Sequence, residues 1–586
     1  MNISLSSAPA QQVLPGRFRS GYERSLQKQR DSGAVARFWK KDPSVFKLDA
    51  GHQKVVKNRL GWQDAPARMQ TDWASLETFA RDVSHSGIEH GVLLGMGGSS
   101  LAPEVFAEIF GSRAGRPALH ILDSTDPAFV RRIEQQCPLA KTLFVVASKS
   151  GGTIETLSQM EYFWALAKAS LKTGAGRHFV AITDPKSALE ETARKRKFRR
   201  VFLNSPDIGG RYSALSLFGL VPAALIGAPV SEILDSALVM RELCERKDLE
   251  ENPGWTLGTL MAQAALAGAN KLTFLATETL KPFVPWLEQL IAESTGKEGQ
   301  GVVPVEAEEV LRLNAYGATR IFVALRLEGE EDPHVDDLIG QAQAREDAVV
   351  EISLPEKSRI GAEMMRWEVA TSVAGLVLGI NPYDEPNVSE SKAVTTKILK
   401  TMTGAGQTAA PRARVSGQGL KLFADDANWE LIKEEAVRQG RKAPKDLAAA
   451  LGGFLGQVRS GDYIALLSYT DRIPQYEKSL ARMRRRMTER LAVASLRGYG
   501  PRYLHSIGQL YKGGPNTGVF MILTADPSEK IPVPGKKYSF GELEMAQALG
   551  DLSALEGHER RVIRIHLGKN ISAGLKQLEE IISGLQ

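Results

Sequence analysis

Between residues 88 and 227 the chain alternates between two hydrophobic patterns. Short apolar runs at 88–95, 120–123, 142–147, 178–183 and 200–204 end in glycine or polar residues, and helix-length segments separate them. Strand-like runs alternating with helices predict a parallel sheet with helices on both faces. The pattern resumes at 271–276, 320–325 and 349–354, predicting a second α/β unit over 271–400. It returns at 462–468, 518–523 and 561–567, predicting a third over 440–586. The order of elements in the last two units is the same, which suggests duplication, although any two such units share this pattern.

The remaining stretches complete the expected organisation. Residues 1–75 read as an arm and helices docked through Trp39, Phe46 and Trp62, residues 235–255 as a helix and connector, and the Gly/Ala/Arg-rich stretch 403–417 as a linker. The predicted division is therefore 1–75, 76–235, 236–402, a linker over 403–439, and 440–586. The fold class is α/β, with two parallel-sheet domains and a third, related α/β domain at the C-terminus.

Composition narrows the class of protein. With 43% apolar and 24% charged residues the chain of 586 has ample material for packed cores. Its two cysteines, Cys137 and Cys244, lack metal-ligand spacing and suit a reducing compartment. No apolar run reaches the ~18–20 residues of a membrane span. The first residues lack a charged-then-apolar export pattern. A cytoplasmic chain without membrane contact is expected. The net charge of +6 is concentrated in patches such as 194–200 and 482–486. Without a recognisable nucleic-acid module these read as solvated helix faces, or as a field attracting an anionic substrate, rather than as a nucleic-acid site.

Candidate chemistry begins at Ser148-Lys149-Ser150-Gly151-Gly152-Thr153, which follows an apolar strand-like run and precedes a helix. A helix N-terminus presents free N–H groups, and a loop with three hydroxyls and no carboxylate suits a phosphate. An ordinary capping turn uses the same residues. A second glycine and hydroxyl loop, Gly95-Met96-Gly97-Gly98-Ser99-Ser100, lacks the last glycine of a dinucleotide fingerprint and the acidic residue expected after it. Two such loops on one sheet fit a phosphosugar better than a dinucleotide.

Four further segments carry reactive groups. In Gly209-Gly210-Arg211-Tyr212-Ser213, Arg211 follows two glycines at the end of a strand-like run, where a guanidinium can stabilise oxyanion charge. Gln289 and Glu293 are four residues apart and share a helix face. A glutamate in the last helical turn is made more basic by the dipole, which suits proton abstraction beside a carbonyl. His505 lies among glycines and can move protons near neutral pH. Lys392 follows the Pro382 and Pro386 turn at the start of another helix. Each residue alone is more often structural or solvated.

Together the segments 94–100, 148–153, 209–213, 293–297, 381–386 and 504–509 closely resemble the signatures of glucose-6-phosphate isomerases. The overall pattern is most similar to the isomerase part of bifunctional transaldolase/glucose-6-phosphate isomerase proteins. The resemblance covers residues 35–586, and no transaldolase activity is expected. It implies sugar-isomerase (SIS-type) domains and reversible interconversion of glucose 6-phosphate and fructose 6-phosphate through a cis-enediol, without metal or organic cofactor. It also assigns roles. Ser99, Ser148, Ser150 and Thr153, with the backbone of Lys149, would hold the phosphate. Gly98 and Arg211 would face the sugar, and Glu293 would be the base with Gln289 beside it. His505 and Lys392 would open and close the ring.

Two departures from the family pattern stand out. The histidine motif usually follows the glutamate motif closely, whereas here His505 comes after Lys392. The matching stretch of the second unit, 311–317, has no histidine. Family members are commonly dimers that take this histidine from the partner subunit. A division of labour between duplicated units is expected instead, leaving a monomer or a homodimer open. Glu385 occupies a position where the family often has glutamine, and it is expected to face the sugar or Lys392, or to point away. A non-catalytic sugar-phosphate sensor and an isomerase of broader hexose-phosphate specificity remain as alternatives. A sensor would need the two anion loops but not Glu293, Arg211, Lys392 and His505 together.

Overall fold

The computed structural model describes residues 8–403, 412–440 and 442–585. Three sheets organise the chain. The first contains β2 (His90–Leu94), β3 (Ala118–Leu122), β4 (Thr142–Ala147), β5 (Phe179–Thr183) and β6 (Arg200–Leu203), all parallel, in the order β3-β2-β4-β5-β6. The second contains β1 (Ala10–Leu14), β7 (Lys271–Ala276), β8 (Val303–Val305), β9 (Arg320–Leu327) and β10 (Ala348–Leu354) in the order β1-β10-β9-β7-β8. The third contains β11 (Val415–Gly417), β12 (Leu420–Phe423), β13 (Tyr463–Tyr469), β14 (Ala494–Tyr499), β15 (Gly518–Thr524) and β16 (Arg561–His566) in the order β11-β12-β16-β15-β13-β14.

The second and third sheets share one topology. Each has four parallel strands in which the first and third in sequence are neighbours and the second lies at an edge. Each adds an antiparallel strand beside its last parallel strand: β1 beside β10 and β12 beside β16. The antiparallel strand precedes its sheet in sequence in both cases. In the second sheet, however, the whole first unit is inserted between β1 and β7.

Every strand-like apolar run named above forms a strand, to within two residues at its ends. β4 is buried at all six positions because helices cover both faces of its sheet, and so its sequence shows no alternation. The strands that pattern reading missed, β1, β8, β11, β12 and β14, lie at a sheet edge or, for β12, next to one. The N-terminal arm contributes β1 as well as docking Phe46 and Trp62 into the core. The stretch 403–439, expected as a linker, carries β11, β12 and the helix Asp426–Arg438, which complete the third sheet. Three- and four-residue strands are too short to show a period, and part of that stretch, residues 404–411, lies outside the described residues. Among the described residues no helix is long and apolar enough to cross a membrane.

The third unit is built into the other two. Ile531, Val533 and Phe540 join the core on one face of the first sheet, while Ala292, Val303 and Val305 join the core of the third. Arg502 forms ion pairs with Glu104 and Asp123 of the first unit, and Arg472 reaches Glu104 at 2.6 Å. Burial alone would raise the Glu104 carboxyl, but the two guanidiniums outweigh it and hold the group at about 2. Several cations of the basic patches are also paired, such as Arg196 with Glu161 at 2.7 Å and Arg482 with Glu579 at 2.6 Å.

Candidate active site

The first anion loop follows β4 and leads into the helix Ile154–Leu171. The Ser148 and Thr153 hydroxyls are 3.1 Å apart, and the Ser150 hydroxyl accepts from the Gly152 N–H at 3.2 Å. Gly151 has φ +68° and packs against Leu189, which leaves no room for a side chain. The Lys149 ammonium is turned away from the loop, paired with Asp184 and donating to the Pro206 carbonyl at 3.0 Å. Only its backbone is left facing the loop.

The glycine loop after β2 is wedged between two neighbours. Gly97 has φ +54°, and a Cβ there would lie 2.5 Å from the His505 carbonyl oxygen and 2.9 Å from Gln289 Nε2. A Cβ at Gly98 would collide with the Gly210 carbonyl. These glycines therefore let backbone from three segments converge, and Ser99 beside them is buried. That convergence places Arg211 over the end of the helix Val284–Thr295.

This helix is buried along nearly its whole length and carries Gln289 and Glu293 one turn apart. Gln289 Nε2 donates to Glu293 Oε2 at 3.1 Å and to the His505 carbonyl at 2.8 Å. The helix ends at Gly296, where a Cβ would strike the backbone of Leu510 from the third unit.

Arg211 is buried and fully engaged. Its Nε donates to Ser294 Oγ at 2.9 Å, and Nη2 donates to the Pro382 and Asp384 carbonyls at 2.9 and 2.8 Å. Nη1 lies 3.3 Å from Glu293 Oε1 and 3.1 Å from Glu385 Oε2. Burial pushes the Glu293 carboxyl above the usual carboxylate range; Arg211 opposes that and the Glu385 charge adds to it. Glu385 thus faces neither Lys392 nor solvent alone but shares one guanidinium with Glu293. Beside them burial and Arg211 push Lys297 down to about 8, and Asp384 holds it at 2.8 Å.

His505 reaches this centre from the third unit. It ends the short helix Arg502–His505 after β14, and its Nε2 lies 2.9 Å from Glu155 Oε1. Glu155 sits in the first turn after the anion loop and also accepts from Gln547 Nε2 at 2.7 Å. Burial works to raise the Glu155 carboxyl, but the charge and hydrogen bond of His505 outweigh it and hold it low. Lys392, exposed on the helix Val388–Thr403, lines a cavity of about 220 Å³ together with His505, Glu155, Ser150 and Thr153.

The result is a continuous path from the phosphate-type loop through Glu155, His505, Gln289 and Glu293 to Arg211, drawn from all three units. The candidate site residues named from the sequence lie in or against it, with the Lys149 ammonium turned out. Glu155, Gln547, Ser294 and Lys297 were not anticipated. An acidic residue in the first turn of a helix is commonplace for dipole reasons, so Glu155 carried no distinguishing signal.

Comparison with known proteins places this geometry. A phosphoglucose isomerase family model matches residues 69–308. The glucose-6-phosphate isomerase of Carboxydothermus hydrogenoformans is 28% identical over 402 residues, spanning 59% of this chain and 86% of that protein. That of Rippkaea orientalis is 31% identical over 407 residues, spanning 63% of this chain and 76% of that protein. The crystal structure of a hypothetical protein from Thermus thermophilus superposes with a TM-score of 0.57 at 25% identity, covering 66% of this chain and 99% of that one.

Proposed function

The chain belongs to the glucose-6-phosphate isomerase family, and from that premise we propose that it interconverts glucose 6-phosphate and fructose 6-phosphate at the path just described. The loop 148–153 and the helix N-terminus behind it anchor the phosphate. His505, held by Glu155, and Lys392 exchange protons with the ring oxygen and the anomeric hydroxyl, opening the sugar. The Glu293 carboxylate then removes the hydrogen at C2 of the open aldose. The C2–H electron pair forms the C1–C2 double bond, and the carbonyl electrons move onto O1. Arg211 faces this enediolate charge. Return of the proton from Glu293 to C1, with the hydroxyl proton passing from O2 to O1, leaves the ketose.

The observation that carries this reading is the pairing of Glu293 with both Arg211 and Gln289 inside a buried helix end. A base whose carboxyl is raised by burial, next to a fixed cation, is matched to abstracting a weakly acidic C–H. The test is a coupled assay of fructose 6-phosphate conversion, alongside exchange of the C2 hydrogen with solvent. Glu293→Gln is expected to lower both by about 10³-fold, within the range for loss of a general base, with sugar-phosphate binding retained. Turnover near wild type would remove Glu293 from the role.

The source of the histidine supports two finer readings. His505 meets Glu155 of its own chain, so the chain needs no second copy to complete the path, whether it is a monomer or a homodimer. A C-terminal unit that supplies this histidine is also what brings the chain closest in pattern to the isomerase part of the bifunctional proteins. On this reading the third domain begins with β11 rather than at 440, and the enzyme works in the cytoplasm on a free hexose phosphate.

A further inference from the structure

At the opposite end of the first sheet from the substrate loops, two histidines and a cysteine converge. His90 opens β2, His120 lies in β3, and Cys137 follows the helix Pro127–Gln136. The strand register puts His90 opposite Ala118, two residues from His120 in β3, and so both imidazoles project from the same face as Val92 and Leu122. Cys137 belongs to the core on that face. His90 Nδ1 and His120 Nε2 are 3.2 Å apart, and the Cys137 sulfur lies within 4.8 Å of both.

The nitrogen separation is informative. With Zn–N bonds of about 2.0–2.1 Å, two imidazole nitrogens on a tetrahedral ion stand about 3.3 Å apart, and a thiolate at about 2.3 Å stands about 3.6 Å from each. The histidine pair already has the edge of such a tetrahedron. From within 4.8 Å the thiol needs to approach by at most about 1 Å, the scale of a side-chain adjustment. Both imidazoles are half-buried, leaving a solvent path for entry and room for water as a fourth ligand, while the thiol is buried.

We propose that His90, His120 and Cys137 form a binding site for one zinc-class divalent cation that staples β2, β3 and the end of the Pro127–Gln136 helix together. In the metal-free chain one imidazole donates its N–H to the other; on binding, that proton moves to the remote ring nitrogen of the same imidazole. The Cys137 S–H ionises, one proton leaves to solvent, and a metal–sulfur bond forms. His90 and Cys137 lie at the amino ends of β2 and β4 and His120 two residues into β3, whereas Gly97 and Ser148 lie beyond the carboxyl ends, and so the ion takes no part in isomerisation. Its effect is on stability.

The test titrates the full, chelator-stripped chain with Co²⁺ and then displaces it with Zn²⁺. The expected result is one equivalent bound, a near-ultraviolet sulfur-to-cobalt band, visible bands of tetrahedral intensity, and a rise in Tm with Zn²⁺. Cys137→Ser is expected to abolish the sulfur band, and His120→Gln, at a half-buried site, to weaken binding by at least about tenfold. Both variants should keep wild-type isomerase turnover. No stoichiometric cobalt band in the wild type, or a band unchanged in Cys137→Ser and His120→Gln, would overturn the site.

Discussion

The loops that follow β8 and β14 occupy the same position in two sheets of the same topology, yet they do opposite work. After β8, Glu308 turns toward the third unit. It pairs with Arg320 at 2.7 Å and accepts from Thr488 Oγ1 and Ser495 N, each at 3.0 Å. Next to it Arg484 donates to the Glu306 and Ala307 carbonyls at 2.7 and 3.0 Å. After β14, the equivalent loop turns toward the first unit and delivers His505 to Glu155. Backbone position is shared, and the side chain decides the outcome. A carboxylate locked to a buried arginine cannot change protonation cheaply and therefore acts as glue. An imidazole beside a carboxylate at a cavity wall can exchange protons and therefore suits chemistry.

The comparison breaks most sharply if each loop is disabled separately. His505→Gln keeps a hydrogen-bond donor near Glu155 but removes the proton shuttle. Turnover of glucose 6-phosphate is expected to fall about 10²–10⁴-fold with little change in the denaturation midpoint. If turnover holds, the β14 loop is structural too. Arg320→Met should do the reverse. It leaves Glu308 buried without its cation, at a cost of about 3–5 kcal/mol read from denaturant unfolding, while turnover per folded molecule stays close to wild type.

Acid should separate the third unit from the first. The folded carboxyl of Glu104 is held at about 2, below its ordinary value of 4.5. A depressed carboxyl stabilises the fold above its unfolded pKa, and that contribution is lost as pH falls from about 4.5 toward 2. Tm measured over that window should decline, and Glu104→Gln should flatten the decline. The finest test concerns the centre that the β14 loop serves. Glu385 adds negative charge beside Glu293 and helps to raise its carboxyl. In Glu385→Gln the acid limb of kcat/KM should therefore move to lower pH; an unmoved limb would mean that Glu385 does not tune the base.

How much of this was legible in advance follows from the range of each interaction. The strands β2 to β7, β9, β10, β13, β15 and β16 announced themselves as apolar runs, the central ones because a strand buried between helix layers must be continuously apolar, the edge strands β3 and β6 despite partial exposure. β1, β11 and β12 left no period to read. Their identity depends on the free edge of a sheet assembled from other parts of the chain. The duplication suggested by element order gains support from the shared strand order, which sequence alone could not supply because adjacency in a sheet is not adjacency in the chain.

At the candidate site the residue types were visible locally. Ser148, Ser150, Thr153, Arg211, Gln289, Glu293, Lys392 and His505 stand in short segments whose chemistry can be read from a few neighbours. Glu155, which holds His505, has no such context, because its significance lies in a partner hundreds of residues away. The amino-acid sequence by itself determined three runs of α/β elements, two glycine and hydroxyl loops and the set of candidate reactive groups, since hydrophobic period and side-chain chemistry are local properties. Only the tertiary structure decided that His505 meets Glu155 within one chain, that Arg211 is shared by Glu293 and Glu385, and that the equivalent loop of the second unit became glue. Those are facts of packing, set by which backbones can approach each other at Gly97, Gly98 and Gly296.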